Sequence, residues 1–159
     1  MAVTSAGILL YRLVENRPEV LIAHMGGPFW AAKDASAWSI PKGEYEPDFE
    51  AALDAALREF AEELGVSAPD VPYAELGTYS YSSGKRVTVF VADGADFSVD
   101  GLEFGEFELE WPPRSGRTQS FPEVDRVEWT DLDAARERLV KGQRPALDAL
   151  EERLAEVGG

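Results

Sequence analysis

A 17-residue stretch, Asp48–Leu64 (DFEAALDAALREFAEEL), is rich in Ala, Leu and Glu and contains no glycine or proline. Its apolar residues recur at helical spacing, at Ala52, Ala56, Phe60 and Leu64. This pattern predicts one amphipathic helix, with Asp48 as the N-cap and Gly65 as the residue that ends it. An amphipathic helix of this length needs a partner surface for its apolar face. The rest of the chain must therefore supply a sheet or other helices for it to pack against.

Segments with β-branched and aromatic residues lie on both sides of this helix. They are Val3–Val14, Glu19–Met25, Trp38–Pro41, Leu76–Tyr81, Arg86–Ala92, Phe104–Trp111 and Val127–Thr130. Two more helical patterns follow, one from Asp131 or Asp133 through Leu139 and one over Pro145–Val157. This order predicts an α/β (α+β) fold in which a mixed β-sheet is sandwiched between helices. At about 150 residues per domain, we expect one domain over 1–159.

Two polar segments are predicted to lie outside the sheet. Asn16-Arg17-Pro18 is a turn signal between the first two strands. Arg114–Pro122 (RSGRTQSFP) is predicted to be a polar loop that carries two arginines.

Charge and residue usage exclude several classes of function. The net charge is −15, which argues against a broad basic surface for nucleic acid and against docking on anionic lipid. The chain has no cysteine, so it has no disulfide and no thiolate nucleophile, and it has a single histidine, His24. No stretch resembles a signal peptide or a membrane span, and we expect a cytoplasmic protein. Any chemistry must rest on carboxylates.

Three carboxylates lie on one face of the predicted helix. Glu59, Glu62 and Glu63 are spaced at i, i+3 and i+4, where like charges repel one another. A hard divalent cation bound by oxygen ligands reverses that repulsion. Arg58, four residues before Glu62, is placed to hold that side chain. The alternative is a solvated acidic face in an acidic protein, and the three glutamates alone do not exclude it.

The residues around these glutamates resemble the Nudix box, whose pattern is G-x5-E-x7-R-E-U-x-E-E-x-G-U with U apolar. From Glu50 to Val66 the agreement is complete, with seven residues before Arg58 and then REFAEELGV. Upstream, six residues rather than five separate Gly43 from Glu50, so the box covers 43–66 with a longer loop. The segments SAGILLYR, WSIPKGEYEP and FPEVDRVEWTDLDAAR also resemble a bacterial Nudix subgroup described as predicted NTP pyrophosphohydrolases. The lead-in Pro41-Lys42-Gly43 is similar to that of Ap4A-hydrolase-like members.

The resemblance implies the Nudix fold and hydrolysis of a nucleoside diphosphate linked to another moiety, with Mg²⁺ or Mn²⁺. It implies Glu59, Glu62 and Glu63 as metal ligands, with the Gly43 carbonyl as a further ligand. Arg58 is implied to orient the carboxylates with Glu50 as its partner. An ordinary helix salt bridge is the alternative for that pair.

The general base and the substrate contacts are less constrained by sequence. Loop carboxylates that could act as the base are Glu106, Glu108, Glu110 and Glu123, and Glu123 is preferred because it follows the loop with Arg114 and Arg117. Candidate phosphate-binding residues are Lys42, Lys85, Arg114 and Arg117, and Trp30 is the candidate for stacking on a nucleobase. For each of these residues, the alternative interpretation is an ordinary surface or core position without a role in substrate binding or catalysis. His24 is predicted to lie at a strand end without a catalytic role.

The leading hypothesis is a divalent-metal-dependent Nudix pyrophosphohydrolase that cleaves its substrate by water attack at phosphorus. The substrate is an NTP, a dinucleoside polyphosphate, or a capped or triphosphorylated RNA end, although the acidic balance argues against longer nucleic acid. The alternative is a non-catalytic nucleotide-binding module of the same fold. The intact glutamate block favours the enzyme. The sequence does not determine the oligomeric state.

Overall fold

The computed structural model describes residues 3–158. The strands are β1 (Thr4–Val14), β2 (Arg17–Met25), β3 (Trp38–Ser39), β4 (Lys42–Glu44), β5 (Ala74–Ser80), β6 (Arg86–Asp93), β7 (Glu106–Glu110), β8 (Thr118–Pro122) and β9 (Val124–Asp131). The helices are α1 (Ala52–Leu64), α2 (Leu132–Arg138) and α3 (Arg144–Gly158), with a single 3-10 turn at Lys141–Gln143. None of the helices in this part of the chain is long and apolar enough to cross a membrane. The ends of the predicted domain, 1–2 and 159, lie outside the described residues.

Seven strands form one mixed sheet in the order β3-β2-β1-β6-β5, with β4 paired to β1 and β9 paired to β2. β1 and β6 are parallel, whereas the other pairs in the sheet are antiparallel. One edge of β1 is shared, because its first residues pair with β4 and its last residues pair with β2. The sheet therefore opens between β2 and β4, next to Lys42.

Each face of the sheet carries its own apolar core. Ile8 and Leu10 of β1 pack with Phe60 and the rest of the α1 side, whereas Leu9 packs with the α2 and α3 side. All three of these β1 residues are fully buried, as expected for a strand covered on both faces. The predicted mixed sheet between helices is confirmed.

The start of α1 differs from the sequence prediction. Asp48 is not the N-cap, because the helix begins at Ala52 after Ala51. The backbone N–H groups of Phe49 and Glu50 both donate to the Glu46 carbonyl, at 3.0 and 3.1 Å, and close a separate turn. The predicted end is confirmed, since Gly65 has a left-handed φ of 75° and donates its N–H to the Ala61 carbonyl. Asp131, rather than Asp133, caps α2 by accepting from the Ala134 N–H at 2.8 Å.

The prediction of a loop over Arg114–Pro122 is wrong in its second half. Thr118–Pro122 forms β8, which pairs with β7 in a hairpin separate from the seven-stranded sheet. β8 combines Gln and Ser with Thr and Phe, which favour strands, and cross-strand pairing with β7 decides its conformation. The first hairpin turn is also shifted, because Glu15 and Asn16 have the positive φ values (52° and 64°) and Arg17 already belongs to β2.

Gly65→Ala is expected to lower the free energy of unfolding by about 1–3 kcal/mol for the left-handed φ, and further because its Cβ would overlap the Glu103 carbonyl. Gly84→Ala is the matched control, because Gly84 also has a positive φ (91°) but has open space around a Cβ. Urea unfolding of both variants measures the difference. Equal losses at the two positions would contradict the role of the Glu103 contact.

Candidate functional site

Arg58 gathers three carboxylates at the exposed surface of α1. Its Nε and Nη2 donate to both oxygens of Glu50, at 2.9 and 2.8 Å. Its Nη1 donates to Glu59 Oε1 at 2.8 Å and to Glu62 Oε1 at 3.3 Å. The hydrogen bond from Arg58 lowers the pKa of Glu50, and the same pairing raises the pKa of Arg58. Arg58 therefore does more than an ordinary two-residue salt bridge, because it also fixes two of the predicted ligands.

Gly43 lies directly against the Glu59 carboxylate. β4 places Gly43 opposite Ala6 of β1, and a Cβ at position 43 would overlap the Glu59 carboxylate. The extra residue between Gly43 and Glu50 is accommodated in the turn before α1, where Phe49 is 88% exposed. The longer spacing therefore leaves both the Gly43–Glu59 contact and the Glu50–Arg58 pair in place.

Glu63 and Lys42 face each other in a half-buried position. Burial raises the pKa of Glu63 to about 8, the charges of Glu123 and Glu59 add to the shift, and Lys42 opposes it. Burial likewise lowers the pKa of Lys42, which Glu63 partly offsets. Shifted pKa values that arise from burial and charge together are typical of functional sites.

Glu123 is brought to the end of α1 by main-chain hydrogen bonds. The Gly105 N–H donates to the Glu63 carbonyl at 3.1 Å, and the Glu123 N–H donates to the Gly105 carbonyl at 2.7 Å. The Glu123 carbonyl in turn accepts from the Gly26 N–H at 3.0 Å. Partial burial and the charges of Glu59 and Glu62 raise the pKa of Glu123. A carboxylate from outside the helix thus joins the electrostatic cluster of the three helix glutamates.

A cavity of about 210 Å³ opens beside this cluster. It is lined by Ala23, Met25, Ser39, Ile40, Lys42, Glu63, Tyr81, Glu123, Val124 and Val140. A larger cavity of about 780 Å³ lies past the C-terminal end of α1, and it is lined by none of the predicted site residues. We therefore take the smaller cavity as the candidate active site.

Four of the predicted substrate contacts do not line this cavity, and they are Lys85, Arg114, Arg117 and Trp30. Lys85 is nearby, with its Nζ at 3.9 Å from Glu44 Oε1, and its charge contributes to the lowered pKa of Lys42. Arg114 and Arg117 lie beyond the last pair of the β7–β8 hairpin, about 14 Å along the strands from the Glu106–Pro122 pair. Trp30 packs edge-on against Phe29 and does not line the cavity.

The remaining candidates also lie outside the cavity lining. Glu106, Glu108 and Glu110 alternate along β7 and are exposed. His24 is fully buried, with Nδ1 at 2.8 Å from Asp125 Oδ1 and Nε2 at 2.6 Å from the Lys33 carbonyl oxygen.

The donor chemistry of the cluster fits a hard divalent cation, because Glu59, Glu62, Glu63 and Glu123 supply oxygen ligands only. Over residues 3–158, however, no three such side chains gather around one point in the present conformation. Arg58 occupies Glu59 and Glu62, and Glu63 faces Lys42. Arg58 contacts Glu59 through Oε1, so coordination of a cation through Glu59 Oε2 would leave that hydrogen bond in place.

Sequence reasoning missed the layer of residues behind the cavity. Gln143 is fully buried, accepts from the Ile40 N–H at 2.9 Å and donates to Tyr81 Oη at 2.8 Å. Gln143 lies in a short polar stretch, KGQRP, with no periodicity that marks it as buried.

Comparisons with known proteins agree with this architecture. A family model described as NUDIX domain matches residues 3–150. A 17.7 kDa protein from the e-segB intergenic region of Enterobacteria phage T4 is 37% identical over 92 residues, which cover 57% of this chain and 58% of the relative's length.

Two solved structures share the fold at low sequence identity. A C. elegans Ap4A hydrolase binary complex has a TM-score of 0.62 and 20% identity, covering 98% of this chain and 99% of that chain. The NUDIX domain of Shewanella oneidensis NrtR, complexed with ADP ribose, has a TM-score of 0.62 and 17% identity, covering 97% and 89%. Because the family model matches most of the chain, this protein belongs to the NUDIX domain family.

Proposed function

We propose that the chain is a Mg²⁺- or Mn²⁺-dependent pyrophosphohydrolase that cleaves a nucleoside triphosphate or a dinucleoside polyphosphate by water attack at phosphorus. The observation that carries this proposal is the meeting of Glu63 and Glu123, from separate segments, beside Lys42 at one cavity. Membership of a hydrolase family supports cleavage of phosphoric anhydrides. The Ap4A hydrolase among the structural neighbours is consistent with this substrate class.

The side chains divide into those that hold a cation and those that hold the substrate. Glu59, Glu62 and Glu63 are the proposed ligands, together with the Gly43 carbonyl. A bound divalent cation supplies charge stabilisation at the phosphoryl oxygens and lowers the pKa of a bound water. Arg58 keeps Glu59 and Glu62 in place through its hydrogen bonds, so it is a positioning residue.

Positive charge for the phosphates comes from the cavity rim. Lys42 lines the cavity and Lys85 lies close enough to affect it electrostatically, so both are proposed to bind phosphate oxygens. Arg114 and Arg117, at the far end of the β7–β8 hairpin, are proposed contacts for the distal part of an extended substrate. Trp30 stays a prediction for base stacking.

Glu123 is the proposed general base. It lies outside α1, lines the cavity and has a raised pKa, so its carboxylate is placed to accept the proton of an attacking water. The water oxygen forms the new bond to phosphorus while the bridging P–O bond breaks and the leaving phosphate departs. Glu106, Glu108 and Glu110 are less suited to this role because they are exposed along the hairpin, outside the cavity lining.

Glu123→Gln is expected to lower kcat by about 100-fold or more, because general-base catalysis contributes about that factor and glutamine cannot accept the proton. Glu108→Gln removes the same charge from the exposed hairpin and is expected to leave kcat within about two-fold. Steady-state kinetics on the two variants measure both values. Full activity in Glu123→Gln would exclude Glu123 as the general base.

A nucleotide-binding module without catalysis is the second candidate. The observation that favours it is the pairing of the Glu59 and Glu62 carboxylates with Arg58. The structural neighbour NrtR was solved with ADP ribose on its NUDIX domain. In a module of this kind, Arg58 would stay hydrogen-bonded to Glu59 and Glu62 when nucleotide is bound.

The experiment that tests the function separates and quantifies the hydrolysis products of NTPs, dinucleoside polyphosphates, nucleotide sugars and capped RNA. Mg²⁺ and Mn²⁺ are compared with EDTA, and Glu62→Gln serves as the inactive control. Turnover that needs the cation and is absent from Glu62→Gln supports the enzyme. Nucleotide binding without turnover of any substrate supports the module instead.

A further inference from the structure

A buried hydrogen-bond network fixes the direction in which the Tyr81 hydroxyl can donate. The Ile40 N–H is a donor only, so the Gln143 side chain must present its oxygen to it, at 2.9 Å. The Gln143 NH₂ group then faces Ser39 Oγ at 2.9 Å and Tyr81 Oη at 2.8 Å. Both amide protons are used, and Tyr81 Oη acts as an acceptor.

Among residues 3–158, the Tyr81 hydroxyl proton has no acceptor. Ser39 gives its own proton to the Ile40 carbonyl at 2.7 Å. Within residues 3–158, the Tyr81 side chain has a single hydrogen bond, which it accepts from Gln143. Burial raises the pKa of Tyr81, so the hydroxyl keeps its proton at neutral pH. A hydroxyl in this state has one donor to offer, and it lines the cavity next to Lys42 and Glu63.

The 3-10 turn Lys141–Gln143 holds the tyrosine ring as well as its oxygen. A Cβ at Gly142 would overlap the Tyr81 ring, so the ring packs directly against this glycine of the turn. At the other side, the Tyr81 N–H donates to the Lys85 carbonyl at 2.8 Å across the β5–β6 turn. Ring, backbone and hydroxyl are therefore each fixed by a different contact.

The rest of the cavity wall indicates what the donor meets. Ala23, Met25, Ile40, Val124 and Val140 form the apolar part of the cavity lining. A phosphate needs several donors or a positive charge, whereas a flat ring with apolar faces and hydrogen-bonding atoms at its edge suits apolar walls and one neutral hydroxyl. A nucleobase has this chemistry.

We infer that the nucleobase of the substrate occupies this cavity and accepts a hydrogen bond from the Tyr81 hydroxyl, which Gln143 and Gly142 hold in position. This inference rests on the proposed function for its substrate class, but not on turnover. Tyr81 is then a specificity-determining residue, and Gln143 is a positioning residue that acts through it.

Binding is measured by calorimetry with Mg²⁺ in the Glu62→Gln background, which keeps the nucleotide intact. The probes are ATP, GTP, CTP, UTP and inorganic tripolyphosphate, which carries no base. Tyr81→Phe is expected to weaken the tightest of the four nucleotides about 3- to 10-fold, as for the loss of one neutral hydrogen bond. Tripolyphosphate affinity should not change. Tyr79→Phe is the matched control, because Tyr79 lies two residues away and does not line the cavity.

Gln143→Leu tests the positioning role through a double-variant cycle. It should weaken nucleotide binding when Tyr81 is present and have little further effect on Tyr81→Phe, whereas a purely structural effect would be the same in both backgrounds. Unchanged nucleotide affinity in Tyr81→Phe overturns the inference, and so does an equal loss for tripolyphosphate, because Tyr81 would then contact phosphate. If the binding pattern holds but the native chain hydrolyses nothing, the proposed function fails and the inference stands.

Discussion

Glu63→Gln should reduce kcat by at least about 100-fold while the protein stays folded, because it removes a proposed cation ligand without changing side-chain volume. Glu63 is the helix glutamate that lines the cavity, and Glu123 and Lys42 face it there. The rate of formation of the nucleotide product by the variant and by the native protein, at saturating Mg²⁺ and substrate, measures the loss.

The control for Glu63→Gln is Glu152→Gln, at an exposed position on α3 outside the cavity lining. We expect this variant to retain native kcat within about two-fold. Circular dichroism and thermal melting check that both variants are folded. Native turnover in a folded Glu63→Gln protein would remove Glu63 from the proposed ligand set and would weaken the case for catalysis at this cavity.

Phe60→Ala is expected to lower the free energy of unfolding by about 3–5 kcal/mol. Phe60 is fully buried on the sheet side of α1, and its ring packs edge-on against Phe97 with centroids 5.4 Å apart. Removing the ring leaves a cavity between the helix and the sheet, and the neighbouring side chains fill it only in part. Urea unfolding followed by tryptophan fluorescence measures the change.

Phe49→Ala is the matched control, since Phe49 precedes the same helix but is 88% exposed. We expect it to change the free energy of unfolding by no more than about 0.5 kcal/mol. A loss below about 1 kcal/mol for Phe60→Ala would mean that α1 contributes little to the core. That result would contradict the packing of the helix on the sheet described above.

Local patterns in the sequence were enough to predict the parts of the fold that depend on neighbours along the chain. The shared face of the α1 glutamates, the Gly65 terminus and the β1 strand all follow from residue type and spacing within one element. The prediction of Asp48 as the N-cap failed because the N–H groups of Phe49 and Glu50 donate to the Glu46 carbonyl in a separate turn, before the helix begins.

Features that depend on distant segments could not be predicted in the same way. β8 is a strand because β7 lies beside it, and its own residues TQSFP are mostly polar. The Tyr81–Gln143 hydrogen bond joins positions 62 residues apart, with no shared pattern to connect them. The approach of Glu123 to α1 depends on backbone groups of Gly105, and sequence analysis assigns no particular partner to such groups.

The main-chain bonds that run from Glu63 through Gly105 and Glu123 to Gly26 have a consequence for divergence of the sequence. Such bonds require no particular side chain, so the segments they join can exchange residues freely without losing the relative position of the two carboxylates. The constraint falls on size instead, because a Cβ at Gly26 would overlap the Pro122 carbonyl and one at Gly105 would come within 2.7 Å of the Glu62 carbonyl oxygen. The sequences of these loops can therefore differ widely between homologous chains, provided that small residues at positions 26 and 105 preserve the distance between Glu63 and Glu123.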